Sequence, residues 1–155
     1  MRGALVAAML LAACSGERAK DAQAAGRTVV TVTSANGAHR FAVEVAADAA
    51  SQARGLMYRT DIPRDGGMLF APYPPEGGPP KVASFWMKNT PSPLDILFIR
   101  ADGVVARIAE NATPFSEDAI LSNEPVAAAL EIPGGRAAEL GIAEGDRASW
   151  PRTGG

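Results

Sequence analysis

A chain of 155 residues is long enough to bury one core and too short for two ordinary domains. Charged residues make up 21%, with 15 Lys and Arg against 17 Asp and Glu, so no basic field is available to hold a phosphate backbone and nucleic acid is excluded as a natural partner. The single cysteine, Cys14, excludes an internal disulfide.

Residues 1–13 carry one cation, Arg2, and then an unbroken small and apolar run from Gly3 to Ala13. This is the layout of an export signal, and the run is too short to span a bilayer. It ends Leu11-Ala12-Ala13-Cys14, which resembles a bacterial lipobox, in which the cysteine is lipidated on its sulfur and becomes the first residue of the processed chain. The expectation is a periplasm-facing lipoprotein of the cell envelope, held to a membrane through Cys14. Ala22-Gln23-Ala24 is an alternative small-residue cleavage site, and cutting there gives a soluble periplasmic protein. Ser15 to Arg27 is small and polar with no periodic apolar face, so residues 14–27 read as a flexible tether and 28–155 as a single domain.

Thr28 to Thr33 and Arg40 to Val45, with Asn36-Gly37 between them, predict a first hairpin. Asp48 is placed to cap a short helix with Ala49, Ala50, Ala53, Leu56 and Met57 at helical spacing and Gly55 at its fraying end. Met68-Leu69-Phe70 reads as a short strand, and the proline-rich Ala71 to Pro80 as a loop. Val82 to Asn89 reads as a strand with Ala83, Phe85 and Met87 on one face and Ser84, Trp86 and Lys88 on the other. Leu94 to Ile99 and Val104 to Ala109 flank Arg100-Ala101-Asp102-Gly103 as a second hairpin with both strands central. A polar connection from Asn111 to Asn123, a strand from Pro125 to Ile132, one or two helical turns from Gly135 to Leu140 and a strand after Gly145-Asp146 complete the chain. Many short strands with turn signals between them predict an all-β, mainly antiparallel sandwich or barrel with one or two short helices.

Phe85 to Ile96 packs aromatic, cation, amide, hydroxyl and carboxylate groups beside two prolines. Asp95 shares a strand face with Leu97 and Ile99, which makes its carboxylate half-buried and in need of a partner. Lys88 and Asn89 are near in sequence, and the stiff Thr90-Pro91-Ser92-Pro93 link is able to fold them back onto it. Trp86, Lys88 and Ser84 at two-residue spacing form a ligand platform, unless the proline-rich loop covers Trp86 as a second layer of core. His39, the only histidine, has no partners at metal-ligand spacing, and no serine sits in a nucleophile elbow. Met57, Met68 and Met87 are soft ligands in principle but read as gap-filling core residues. No metal or cofactor is expected.

The set Arg54-Gly55-Leu56-Met57-Tyr58-Arg59, Gly67-Met68-Leu69-Phe70, Phe85-Trp86-Met87-Lys88-Asn89-Thr90, Pro93 to Ile99, Gly141-Ile142 and Gly145-Asp146 resembles domain-of-unknown-function family 192 over nearly all of residues 40–150. The resemblance implies an all-β sandwich-like domain, common in exported bacterial proteins, with no activity to transfer. The chain departs from the family pattern in the proline-rich insert around Tyr73 to Pro80, and at Pro91-Ser92, where two aliphatic residues are usual.

The functional expectation is an envelope lipoprotein binding a small molecule, glycan or peptide, with Trp86 as a stacking surface and Arg59, Lys88, Asn89 and Asp95 as polar contacts. The alternatives are an envelope-polymer hydrolase with Asp95 and Lys88 as acid and base, and a structural or assembly factor that takes no ligand. Convergence of those five residues on one cavity separates the first two from the third.

Overall fold

The computed structural model describes residues 26–152; the expected signal, Cys14 and most of the tether lie outside them. The strands are β1 (Arg27–Ser34), β2 (Gly37–Ala46), β3 (Met68–Phe70), β4 (Lys81–Phe85), β5 (Leu94–Ile99), β6 (Val105–Ala112), β7 (Ile120–Val126), β8 (Ala128–Pro133) and β9 (Arg147–Ser149). Two short helices, α1 (Ala49–Arg54) and α2 (Arg136–Leu140), join them, so the domain is mostly β as expected. Among the described residues no helix is long and apolar enough to cross a membrane.

Seven strands form one sheet in the order β6-β5-β8-β3-β2-β1-β9, and β4 pairs with β7 in a second, smaller sheet. The large sheet curls until its two edges meet: Val104 bridges Arg147, Val105 N–H donates to Asp146 O at 2.8 Å, and Ala148 N–H donates to Gly103 O at 2.8 Å. Pairing over this short stretch satisfies backbone groups that an open edge would leave exposed there. The sheet is mixed, because β2 and β3 run parallel. The crossover between them contains α1, and a crossover is what a parallel pair needs.

Alternation along the strands sorts side chains into two cores. Val30, Val32, Phe41, Leu97, Ile99 and Leu130 fill the inside of the curl, closed by Ala137 and Ile142 around α2. Phe70, Phe98, Ile96 and Ala129 face outward and are covered by Ala83, Met87 and Val126 from the β4–β7 side. β5 is therefore buried along its whole length. Gly67 is obligatory at this crossing, since at φ 142 a Cβ there would lie 1.9 Å from the Glu131 carbonyl oxygen.

Several sequence expectations change. Residues 125–132 form parts of two strands rather than one, because the chain changes sheets at Ala127, whose N–H donates to Ile99 O at 2.9 Å. The strand expected to reach Asn89 stops at Phe85; Met87 N–H turns to Ser116 O at 2.8 Å and Asn89 takes a φ of 54. β6 is an edge strand rather than a central one and reaches further, to Ala112.

Asp95 is fully buried rather than half-buried, with 0% exposure. Asn111 and Gly135 N–H groups donate to Oδ1 at 2.8 and 2.9 Å, and Ala137 N–H donates to Oδ2 at 2.8 Å. Its partners are thus backbone donors and not Lys88 or Asn89. α2 begins at Gly135 with no capping side chain of its own, so a carboxylate from β5 supplies the cap. Asp95→Asn keeps an oxygen for two of these donors and turns an amide N–H₂ toward the third. Equilibrium urea unfolding is expected to show a loss of about 2–3 kcal/mol, the scale of one charge-assisted bond with its donor left buried; an unchanged midpoint would remove Asp95 from this role.

Candidate functional site

A pocket of about 200 Å³ opens where α1, β3, the proline-rich loop, the segment after β4 and β8 meet. α1 is positioned by a capping box: Ser51 N–H donates to Asp48 Oδ1 at 2.9 Å, and Asp48 N–H donates to Ser51 Oγ at 3.2 Å. Its C-cap, Gly55 at φ 48, turns the chain so that Leu56 is buried and Met57 lines the pocket. Aromatic walls come from Phe70, Tyr73, Phe85 and Trp86. Phe85 packs edge-on against Phe70 at 5.0 Å and against Phe98 at 5.5 Å, and lies 6.0 Å from Tyr73, which ties the wall to the core.

The floor holds a carboxyl group. Glu131 pairs in register with Met68 on one side and Ile96 on the other, so it projects into the outer apolar cluster. Its residue exposure is 5%, and Oε2 is buried without a hydrogen-bond partner. Desolvation pushes the carboxyl up to about 8, because burial penalises the charged form and no cation offsets it. Gln52 contributes a second unpartnered atom. Its Nε2 donates to Ala46 O at 3.0 Å and Pro72 O at 2.7 Å, while its Oε1 is buried with no donor.

Of the five residues expected at a site, two reach this pocket, so the five do not converge on one cavity and any binding reading rests on other residues as well. Trp86 lines it and remains 47% exposed, so the proline-rich loop does not cover it; Tyr73 of that loop stands in the same pocket lining instead. Lys88 also lines it, with Nζ 4.9 Å from the Trp86 ring centre and 3.1 Å from Glu117 Oε1. Arg59 lies outside, gripping Glu44 through Nη2 at 2.8 Å and Nη1 at 3.3 Å. That hydrogen-bonded guanidinium holds the Glu44 carboxyl below its usual range. Asn89 also lies outside: its carbonyl accepts the Tyr58 N–H at 2.7 Å, fastening the two loops that carry Met57 and Lys88. Asp95 is spent on the backbone of the opposite sheet face.

Glu131, Gln52 and Tyr73 were not singled out by sequence. Glu131 had a readable signal, a lone acid inside the apolar Ala128-Ala129-Leu130-Glu131-Ile132 run. Nothing local marks Gln52 or Tyr73, whose roles depend on a helix and a loop distant in sequence folding over β8.

No curated protein is significantly similar to the chain. Two solved structures are. A crystal structure of a protein of unknown function from Novosphingobium aromaticivorans is 45% identical, covers 80% of this chain and 85% of its own, and superposes with a TM-score of 0.75. Another, from Sinorhizobium meliloti and provisionally assigned as a transcription regulator, is 42% identical over 80% of this chain and 93% of its own, with a TM-score of 0.74. Residues 30–150 match the family described as DUF192, Uncharacterized ACR, and the segments that carry the early resemblance, Arg54–Arg59, Gly67–Phe70 and Phe85–Thr90, supply most of the pocket wall. The chain belongs to the DUF192 family.

Proposed function

We propose that the protein is an exported, lipid-anchored envelope module that binds a small molecule in the pocket floored by Glu131. The observation that carries this reading is an aromatic-walled opening whose lining includes Glu131 and Gln52, each with a buried, unpartnered oxygen. A buried polar atom without a partner costs free energy, and an apolar residue at position 131 would be the more stable choice for structure alone. The volume of about 200 Å³ lies below the usual range for drug-sized ligands, which favours one small molecule or the end group of a glycan or peptide. Export and anchoring rest on the apolar run before Cys14 and the small residues that precede it.

A hydrolase built on Asp95 and Lys88 has little support. Asp95 is fully buried with both oxygens engaged, and it belongs to the inner face while Lys88 lines a pocket on the outer one. The net charge of -2 also gives no support to nucleic-acid binding by analogy with the Sinorhizobium relative.

Thermal-shift screening of sugars, amino acids and short peptides tests the binding reading. A ligand at a hundred times its Kd is expected to stabilise the fold by about 2.7 kcal/mol. Trp86→Ala and Glu131→Gln should each abolish the shift, and a shift that survives both places the ligand elsewhere.

Glu131 also fixes a pH dependence. Its folded pKa of about 8 lies above the ordinary 4.5, so the native state keeps a proton that the unfolded chain releases. This contribution to stability is complete below about pH 4.5 and is lost as pH rises to about 8, at up to about 1.4 kcal/mol per unit. Glu131→Gln should remove that slope in urea titrations, gaining on the parent protein as pH rises. For the anchor, Cys14→Ser should move the protein from the membrane fraction to the soluble one and eliminate labelling by a radioactive fatty acid.

A further inference from the structure

Two residues that line the pocket, Gln52 and Glu131, each hold a buried side-chain oxygen without a hydrogen-bond partner, and what surrounds them decides what the pocket can take. The Gln52 amide nitrogen is committed to the Ala46 and Pro72 carbonyls, which leaves Oε1 as an acceptor facing no donor. Glu131 Oε2 is the other. No cation offsets the burial of the Glu131 carboxyl, and an ammonium group supplies one, with three donors and no acceptor of its own. Walls of Phe70, Tyr73, Phe85 and Trp86 suit a cation, because aromatic faces attract positive charge.

The outer part of the pocket has the opposite character. Exposed Arg54, at the end of α1, lines it and makes no ion pair among the described residues, and Lys88 lines it with only part of its charge met by Glu117. The titratable side chains that line the pocket are therefore Glu131 from β8, Arg54 from α1, Tyr73 from the proline-rich loop and Lys88 after β4. A plain cation passing this outer part is repelled; one that also carries an anion is not. The volume of about 200 Å³ admits a molecule of amino-acid size.

We propose that the pocket takes a small zwitterion, its ammonium end paired with the Glu131 carboxylate and its anionic end lying against Arg54 and Lys88. This deepens the binding reading above and rests on it. On binding below about pH 8, Glu131 loses its proton to solvent while the ligand ammonium keeps its own, so proton release approaches one per molecule bound at low pH and falls to none above that value. Since the empty site holds that proton up to about pH 8, affinity rises about tenfold per pH unit toward that value and then levels until the ligand amine deprotonates.

Isothermal titration of the purified full chain between about pH 6 and about pH 9 tests this. The probes are glycine, β-alanine and γ-aminobutyrate, with O-phosphoethanolamine to distinguish a phosphate-bearing lipid headgroup from a free amino acid. Glucose and acetamide serve as neutral probes and ethylammonium as a plain cation. The expected result is binding of at least one zwitterion, tightening with pH and releasing close to one proton at about pH 6 and almost none at about pH 9, with ethylammonium at least tenfold weaker. Glu131→Gln should cost at least tenfold and flatten the pH dependence. Exposed Arg54→Glu, which leaves the core untouched, should reverse the preference toward ethylammonium. Binding of glucose or acetamide alone, weakening above about pH 8, overturns the zwitterion and leaves the pocket standing as a site for neutral molecules. Binding of no probe overturns the zwitterion, and the binding reading falls with it only when the wider thermal-shift screen is silent too.

Discussion

The Asp95 carboxylate, buried between strands and bonded to three backbone N–H groups, is the interaction on which the rest of the fold depends. It draws together the end of β6 through Asn111 and the start of α2 through Gly135 and Ala137. A charge removed from water survives only where donors replace its hydration, and three charge-assisted bonds to rigid backbone do so. With that end of β5 held, the strand is sandwiched between β6 and β8 and the curl of the large sheet has a fixed point. The far side is held differently, by backbone bonds that join the β6 and β9 edges.

One residue pair away, the same two strands make the opposite arrangement. Asp95 stands opposite Ile132 and faces the inner core, while Ile96 stands opposite Glu131 and both face outward. The inner acid has every donor it needs; the outer one has none for Oε2 and is held in its neutral form at neutral pH by burial. Perturbed groups of this kind gather where proteins bind or react. Glu131 thus marks the outer face as the one where stability has been given up, and the inner face as the one that supplies it.

The second sheet and α1 turn that outer face into a pocket. β4 brings Phe85 and Trp86 over β3 and β8, and the capping box of Asp48 and Ser51 sets the helix from which Gln52 reaches in. The Arg59–Glu44 pair and the Tyr58–Asn89 backbone bond fasten the flanking loops from outside, so residues without access to the pocket still position those that line it. The proline-rich loop supplies Tyr73 and the Pro72 carbonyl that orients Gln52.

Sequence alone determined whatever depends on local periodicity and chemistry. It located both hairpins, the Asp48-capped helix, the turns before β9, the two faces of β5 and the family, because alternation, Asn-Gly and Asp-Gly turns and N-caps act over a few residues. It also marked Trp86 and Lys88, whose type and spacing already set them apart. Tertiary structure alone decided what depends on residues far apart: that Asp95 meets the backbone forty residues on and not its neighbour Lys88, that β2 and β3 run parallel, that residues 125–132 split between sheets, and that Glu131 lies under Gln52 and Tyr73. A buried carboxylate takes whichever donors the folded backbone brings to it, and which donors those are is a property of the packed sheets rather than of any stretch of sequence.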